Sequence, residues 1–263
     1  MKLFTATGIG LIFMLSAANA QVSFEVTSVK PSAPGAGHAP QLSVLPGGRL
    51  VMQTSTLKYL ISLAFDVPRW QISGDEAWMT KDEFEIEGRP PESLRGSIKS
   101  LRSSWQYGIQ DEQIRLMLQA LLIDRFQLKF HRESKTGTVY LLQTSGKPLR
   151  LNPSRTERDA NPLESAFSGS IGYAGGQWTV ADASMTQFAK FAADYIFHVP
   201  VIDQTQLSGP FSYRQPVVDP DARYDDNTDS FLRLIPELGL KLVKTTGSVE
   251  MFVIDHAEKP SAN

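Results

Sequence analysis

The sequence contains no cysteine, which excludes disulfide bonds, thiolate metal sites, iron–sulfur clusters and a cysteine nucleophile. It also lacks an excess of either charge, because 26 lysine and arginine residues are balanced by 28 acidic residues, for a formal net charge of -2. Such a balance provides no electrostatic attraction to nucleic acid or to an anionic membrane surface. With 41% hydrophobic and 21% charged residues, the composition is that of a globular protein.

Catalytic motifs are missing as well. The sequence has no P-loop, no dinucleotide-binding glycine motif and no G-x-S-x-G nucleophile elbow. Among the four histidines, no two have the spacing that would place two metal ligands on one helix face. Neighbouring residues on a strand point to opposite faces, so Asp255 and His256 are not expected to form an acid–base pair. The sequence favours a non-enzymatic role, with no catalytic residue, metal ligand or cofactor, and leaves open a secreted hydrolase that uses His131 or His256.

The N-terminus, MKLFTATGIGLIFMLSAANA, has the anatomy of a secretory signal peptide. Lys2 is followed by an apolar stretch, Leu3–Leu15, and by a small-x-small cleavage site, Ala18–Ala20. The apolar stretch is shorter than the roughly 20 residues that a membrane-spanning helix needs, and no later stretch is long enough. Residues 1–20 are therefore predicted to be a signal peptide. The protein is expected in the periplasm or outside the cell, without stable membrane insertion after cleavage.

Four segments have the apolar spacing of amphipathic helices. Their apolar stripes begin at Leu57, Ile114, Met185 and Phe231. Each is preceded by residues suited to cap a helix N-terminus: Ser55 or Thr56, Asp111, Ser184, and Asp229 or Ser230.

Short runs of alternating polar and apolar residues separate these helices and are typical of strands in a sheet with one solvated face. Four of them are Gln127–His131, Val139–Gln143, Lys241–Lys244 and Val249–Ile254. Helices and strands follow one another in a similar order in the two halves of the chain. The sequence therefore predicts an α+β fold with two related lobes, each with two helices packed on a small antiparallel or mixed sheet.

The boundary between the lobes is placed where prolines, glycines and serines accumulate and periodicity is lost. Residues 21–147 are predicted to form the N-terminal lobe, residues 148–176 a linker or long loop, and residues 177–263 the C-terminal lobe.

Several blocks of the sequence resemble a family of exported proteins expanded in soil acidobacteria and catalogued as a domain of unknown function. The resemblance implies export and supplies no catalytic residues. The blocks that carry it are FEVTSVKPS at Phe24–Ser32, the segment Gly47–Arg89, EQIRLMLQALLIDRFQLKFHRESKTGTVYLLQTS at Glu112–Ser145, VPVIDQTQLSGPFSY at Val199–Tyr213 and the tail Gly239–Asn263.

The C-terminal part is also similar in pattern to the short N-terminal domain of secretins and TonB-dependent receptors. The pattern runs from Met185–Ile196 through VPVIDQTQLSGPFSY to SFLRLIPELGLKLVKTTGSVEMFVI at Ser230–Ile254. Domains of that type bind protein partners in the periplasm and are not enzymes. The similarity therefore implies an envelope protein as partner.

Four aromatic residues in the predicted loops of the N-terminal lobe are candidates for contact with a ligand or partner: Trp70, Trp78, Trp105 and Tyr107. Trp70 and Trp78 are also interpreted as lids that fold back over a small core. The leading hypothesis is an exported non-enzymatic protein-interaction module of the cell envelope. The alternatives are a protein that binds glycan or another small ligand through these aromatics, and the hydrolase mentioned above. The oligomeric state is not determined by the sequence.

The signal-peptide assignment predicts the N-terminus of the exported protein. Full-length chain expressed in a Gram-negative host is expected to yield a periplasmic product that begins at Gln21, because signal peptidase cleaves after the small-x-small motif. Intact-mass spectrometry of the periplasmic fraction measures this. A product that retains Met1 or stays in the cytoplasm would refute the assignment.

Overall fold

The structure is a computed structural model that describes residues 22–33, 40–98, 108–109, 111–154, 169–174, 176–216 and 227–261. The predicted signal peptide lies outside this range. The described residues contain six α-helices and twelve strands in three four-stranded sheets, which confirms the α+β class. No helix among them is both long and apolar enough to cross a membrane.

The helices are α1 (Leu57–Phe65), α2 (Ala77–Lys81), α3 (Glu92–Arg95), α4 (Glu112–Arg125), α5 (Met185–Phe191), continued by a π-helical segment (Ala192–Phe197), and α6 (Asn227–Glu237). The strands are β1 (Val26–Pro31), β2 (Gln41–Val44), β3 (Leu50–Thr56), β4 (Ile72–Ser73), β5 (Glu83–Arg89), β6 (Lys129–Thr144), β7 (Asn152–Pro153), β8 (Ser170–Ala174), β9 (Gln177–Ala183), β10 (Val201–Asp203), β11 (Phe211–Arg214) and β12 (Leu240–His256).

Three of the predicted helix caps are confirmed. The hydroxyl of Thr56 accepts a hydrogen bond from the Tyr59 backbone N–H, and the carboxylate of Asp111 accepts one from Ile114. Ser184 forms a full capping box with Gln187. The fourth prediction, Asp229 or Ser230, is wrong: α6 already begins at Asn227, because the polar residues before the apolar stripe are helical too.

Two of the sheets are antiparallel. One has the order β1-β5-β3-β2 and the other the order β7-β11-β9-β8. Strands β7 and β8 come from the two ends of the segment 148–176, so the described parts of the predicted linker contribute to a sheet. The division into lobes at residues 147 and 177 remains a prediction.

The third sheet, in the order β10-β6-β12-β4, is mixed and joins distant parts of the chain. β6 and β12 form one antiparallel ladder, with β10 parallel to β6 and β4 parallel to β12. Four separate strands were predicted here, and that prediction is wrong, since each pair forms one continuous strand. The central residues are polar or glycine, with Gly137 opposite Gly247, and therefore lack the apolar alternation that identifies a strand.

Buried side chains form two hydrophobic clusters, and the ladder contributes to both. The first cluster includes Leu60 of α1 and Met117 of α4, together with Phe252 near the end of β12. The second includes Trp178 of β9, Phe188 of α5 and Phe231 of α6, together with Leu142 of β6 and Leu240 of β12. The first cluster therefore depends on residues that lie far apart in the sequence.

Gly74 shows how closely β4 approaches β12. It follows β4 with a φ of +78°, and a Cβ at this position would lie 2.3 Å from the backbone oxygen of Ile254. Real Cβ atoms do not come so close to a backbone oxygen, so any side chain would push the two strands apart. Two features favour glycine at position 74: its left-handed backbone conformation and the close approach to the backbone oxygen of Ile254.

We expect Gly74→Ala to lower the free energy of unfolding by about 3 kcal/mol, from left-handed strain plus the clash with Ile254. Gly47→Ala is the matched control, because Gly47 has the same φ of +78° and a Cβ added there would meet no atom within 4 Å. Its expected cost is about 1 kcal/mol of strain alone. Urea denaturation measures both values, and equal losses would show that the close approach of β4 contributes nothing.

Candidate functional site

A cavity of about 710 Å³ lies between α1, with the loop that follows it, and the π-helical segment. We call it the site cavity. Its volume falls in the range of about 300–1,000 Å³ that is typical of small-molecule sites. One side belongs to an element of the first cluster and the other to an element of the second. Its lining includes Tyr59, Asp66, Arg69, Trp70, Lys190 and Asp194.

The first wall is formed by the face of α1 that is not buried in the core. Leu60, Ile61 and Ala64 are buried in the first cluster, whereas Tyr59 and Ser62 line the cavity. The helix ends at Asp66, which has a left-handed conformation with a φ of +50° and donates its backbone N–H to Ser62. This turn directs the following residues along the cavity.

The second wall is formed by the π-helical segment Ala192–Phe197. The segment buries Ala192 and Ile196 in the second cluster and places Asp194 and Tyr195 in the cavity wall. It ends at His198, another non-glycine residue with a left-handed conformation, at the rim. π-Helical turns are rare and are frequently found at functional sites, so this wall is itself an indication of function.

Charged side chains connect the two walls. The Lys190 ammonium lies 3.1 Å from the Asp194 carboxylate, one turn away, and 3.8 Å from the Asp66 carboxylate on the opposite wall. Arg115 of α4 also contacts Asp66, at 3.6 Å. Each of these acidic groups is thus engaged by a basic side chain.

Asp194 is the most perturbed acid of the cavity. Its side chain is only 15% exposed. Burial raises the pKa of the Asp194 carboxyl above its usual value, and the Asp66 carboxylate adds to this, although Lys190 and the Trp70 N–H act in the opposite direction. A carboxylate with a raised pKa in a cavity is typical of functional sites.

Trp70 contributes a buried donor. Its indole Nε1 is buried and forms no hydrogen bond of normal geometry with the described residues. Its N–H is directed at the Asp194 carboxylate and, as a donor to that group, lowers the pKa of the Asp194 carboxyl. The indole N–H is thus directed at Asp194 from inside the wall, and the aromatic ring is what Trp70 presents to the cavity.

Tyr59 and Arg69 line the cavity on the side of α1 and the loop that follows it. The guanidinium of Arg69 lies 6.0 Å from the centre of the Tyr59 ring, in cation–π geometry. Burial raises the pKa of the Tyr59 hydroxyl, partly offset by the charge of Arg69, so the hydroxyl is protonated at neutral pH. The ring and the guanidinium together present an aromatic face beside a cation.

The structure places the two described aromatic residues that were predicted to bind a ligand in different surroundings. Trp70 lines the site cavity, as the binding interpretation requires. Trp78 does not line it: its indole N–H donates to Glu76 and Lys259 lies 5.8 Å from its ring centre, as expected of a side chain covering the core edge. Trp105 and Tyr107 lie outside the described residues.

The histidines considered for a hydrolase do not line the cavity. His131 contacts Asp255 at 2.8 Å across the β6–β12 ladder, on a half-exposed surface. His256 instead contacts Glu258 at 2.9 Å, which confirms that Asp255 and His256 do not pair. Within the described ranges, no group of three or more histidine, aspartate or glutamate residues is placed to hold a metal ion.

Sequence reasoning missed the charged residues of the cavity. Asp66, Lys190 and Asp194 belong to no motif, and long-range packing brings them together. One local signal was present: Asp194 is a single acidic residue within an otherwise apolar run, Ala192–Phe197. A lone acid on the apolar side of a helix indicates either a buried ion pair or a site.

A family model described as "Protein of unknown function (DUF3738)" matches residues 58–257. Comparison with curated proteins and with solved structures finds no match. The matched range includes nearly all of both cavity walls. It confirms the resemblance to a domain of unknown function, whereas the origin in soil bacteria and the similarity to the secretin domain remain predictions.

Asp194→Asn is expected to raise the midpoint of thermal unfolding at neutral pH by about 2 °C. The folded-state pKa of this carboxyl is raised, so its charged form destabilises the fold above that pKa. The gain should disappear as the pH falls through the raised pKa, where the wild-type carboxyl becomes protonated. Thermal unfolding between pH 8 and pH 4 measures it.

The control is Asp229→Asn, at an exposed carboxylate in the first turn of α6. It is expected to give no gain, since a negative charge is favourable near a helix N-terminus. A lower midpoint for Asp194→Asn at every pH would show that the ion pair with Lys190 outweighs the burial of Asp194.

Proposed function

We propose a binding function, from the premise that this chain belongs to the DUF3738 family of proteins of unknown function. In this proposal the protein is an exported, non-enzymatic module of the cell envelope. Its ligand is a glycan fragment or another small molecule that enters the site cavity. The signal-peptide pattern supports the export, and the cavity supports the binding.

The observation that carries the proposal is Asp194, a largely buried carboxylate in the wall of a ligand-sized cavity. Burial of this charge opposes folding, as its raised pKa indicates. Sites that bind or react commonly retain groups that reduce stability, whereas a purely structural wall gains nothing from them.

The cavity wall also has the mixture of surfaces that small-molecule sites use. Tyr59, Trp70 and Tyr195 provide aromatic area, and a few charged groups converge beside them. Aromatic rings bury a large apolar area and can stack on a flat ligand, while polar groups fix its orientation. This arrangement suits a ligand with a ring and several hydrogen-bonding groups.

Binding is favoured over proton-transfer chemistry by the pairing of the acidic groups. Asp66 and Asp194 share the ammonium of Lys190, so neither carboxylate is positioned alone as a general base. His131, the histidine suggested for a hydrolase, contacts Asp255 on the ladder and does not line the cavity.

A second candidate, the protein-interaction module, is favoured by a different surface. Ile202 of β10 and Val243 of β12 lie on either side of Leu141 of β6, in register across three strands. Ile202 is 48% and Val243 38% exposed. Adjacent exposed apolar side chains near a sheet edge are typical of surfaces that bind proteins.

Binding in the cavity predicts that Trp70 and Trp78 behave differently. Trp70→Ala is expected to weaken the binding of a purified peptidoglycan disaccharide-tetrapeptide about tenfold, because the variant removes an aromatic surface from the wall. Trp78→Ala, which changes an indole outside the cavity, is expected to leave affinity unchanged. Chemical-shift titration by NMR measures the affinities, and circular dichroism verifies the fold.

Equal loss of affinity in both variants would contradict a site in the cavity. Crosslinking in the native envelope tests the second candidate. Suppose that crosslinking identifies one dominant protein partner, and that the partner is lost in the Ile202→Ser variant but retained in Trp70→Ala. This result would support the protein-interaction module in place of ligand binding.

A further inference from the structure

We infer that the outer edge of β12 pairs with the same edge of a second copy of this chain, to form a dimer. The two strands would run antiparallel over Lys244–Glu250, with a twofold axis at Gly247. These residues do not line the site cavity, so the inference goes beyond the proposed function and does not depend on it. It follows from the free backbone groups of the edge and from the charges along it.

The outer edge of β12 is open over its central part. The Ser145 backbone N–H donates to the Gly239 carbonyl, so odd-numbered residues of β12 direct their backbone groups to β6. Even-numbered residues direct theirs outward. At Phe252 this outward side is taken by β4. Over Lys244–Glu250, no other strand of the described residues pairs with it.

The side chains along this open edge are exposed as well. Lys244, Thr246, Ser248 and Glu250 are all exposed, although they belong to a regular strand. The segment contains no proline, and its pairing with β6 has no register shift. A regular edge with free N–H and C=O groups is a template for pairing with another strand. The central part of β12 therefore has the backbone groups that a further strand requires.

The charges of this edge are complementary under the twofold axis. Lys244 would lie opposite Glu250 of the second copy, and Glu250 opposite Lys244 of the second copy. Thr246 would likewise lie opposite Ser248. Opposite charges and hydroxyl side chains at facing positions stabilise pairs of strands. The two copies would therefore attract each other at both ends of the paired segment.

Lys244 has no ion-pair partner within the part of the chain that the structure describes, since no carboxylate there lies within 4.0 Å of its ammonium. Glu250 contacts Arg132 of its own chain. A carboxylate has two oxygens and accepts hydrogen bonds from more than one cation. The dimer would thus supply the partner of Lys244 without breaking the existing ion pair of Glu250.

The position of the axis is restricted by the residues of the edge. An axis one residue earlier would place Glu250 opposite Leu242. An axis one residue later would place Lys244 opposite Phe252, where β4 already pairs. The axis at Gly247 avoids both mismatches. It also brings two glycines together at a pair without mutual hydrogen bonds, where Cα atoms approach to about 4.5 Å.

Sedimentation velocity of the full mature chain measures the dimer. We expect a dimer fraction that rises with protein concentration, with a dissociation constant on the order of 10 μM for so short an interface. Lys244→Glu places like charges opposite each other at both ends of the segment and should raise the dissociation constant at least about tenfold. Glu250→Lys should have the same effect.

The decisive measurement mixes these two variants in equal amounts. A dimer with one copy of each restores opposite charges at both ends. The mixture should therefore associate with a dissociation constant within about threefold of the wild-type value, although neither variant does so alone. Circular dichroism verifies that both variants are folded.

Lys241→Glu is the matched control, because Lys241 is an exposed residue of β12 outside the paired segment. It should leave the dissociation constant within about twofold of the wild-type value. A wild-type chain that is monomeric at about 500 μM would overturn the inference. So would a dimer that Lys244→Glu and Lys241→Glu weaken equally, or a mixture of the two charge variants that remains monomeric.

Discussion

Sixteen residues of β6 and seventeen of β12 are joined in one antiparallel ladder, from Leu240 opposite Thr144 to His256 opposite Lys129. The ladder passes from one hydrophobic cluster to the other. Its two ends supply buried side chains to different clusters, and its backbone hydrogen bonds fix the distance between them. The relative position of α1 and the π-helical segment, and thus the width of the site cavity, depends on this pairing.

The cavity therefore forms only when the elements of the two clusters come together. Neither wall would form a pocket by itself, because Tyr59 and Asp66 belong to an element packed on one cluster, and Lys190 and Asp194 to an element packed on the other. The contact of Lys190 with Asp66 spans the gap between them. Exposed ion pairs of this kind contribute little to stability. Its importance here is in orienting two acidic groups around one cation.

Local features of the structure could be predicted from the sequence, and non-local ones could not. The helix stripes and the caps at Thr56, Asp111 and Ser184 involve residues a few positions apart, so periodicity identifies them. The continuity of β6 and β12 depends on pairing between residues about 100 positions apart, through a polar centre that resembles a loop. Trp70 could be selected because aromatic residues in loops can mark a binding surface. Asp194 gave only the local signal of one acidic residue in an apolar run, and its burial beside Lys190 is a property of the assembled fold.

The parallel contact of β4 with β12, which places Ile72 beside Phe252, also determines when the chain can fold. The first hydrophobic cluster remains open until β12 has been synthesised, because Phe252 and Ile254 complete it. A chain that emerges from N- to C-terminus therefore cannot complete this cluster until β12 has emerged. Contacts of such high sequence separation form slowly. Under the proposed export, through a channel that accepts only unfolded polypeptide, this delay would keep the chain competent for passage.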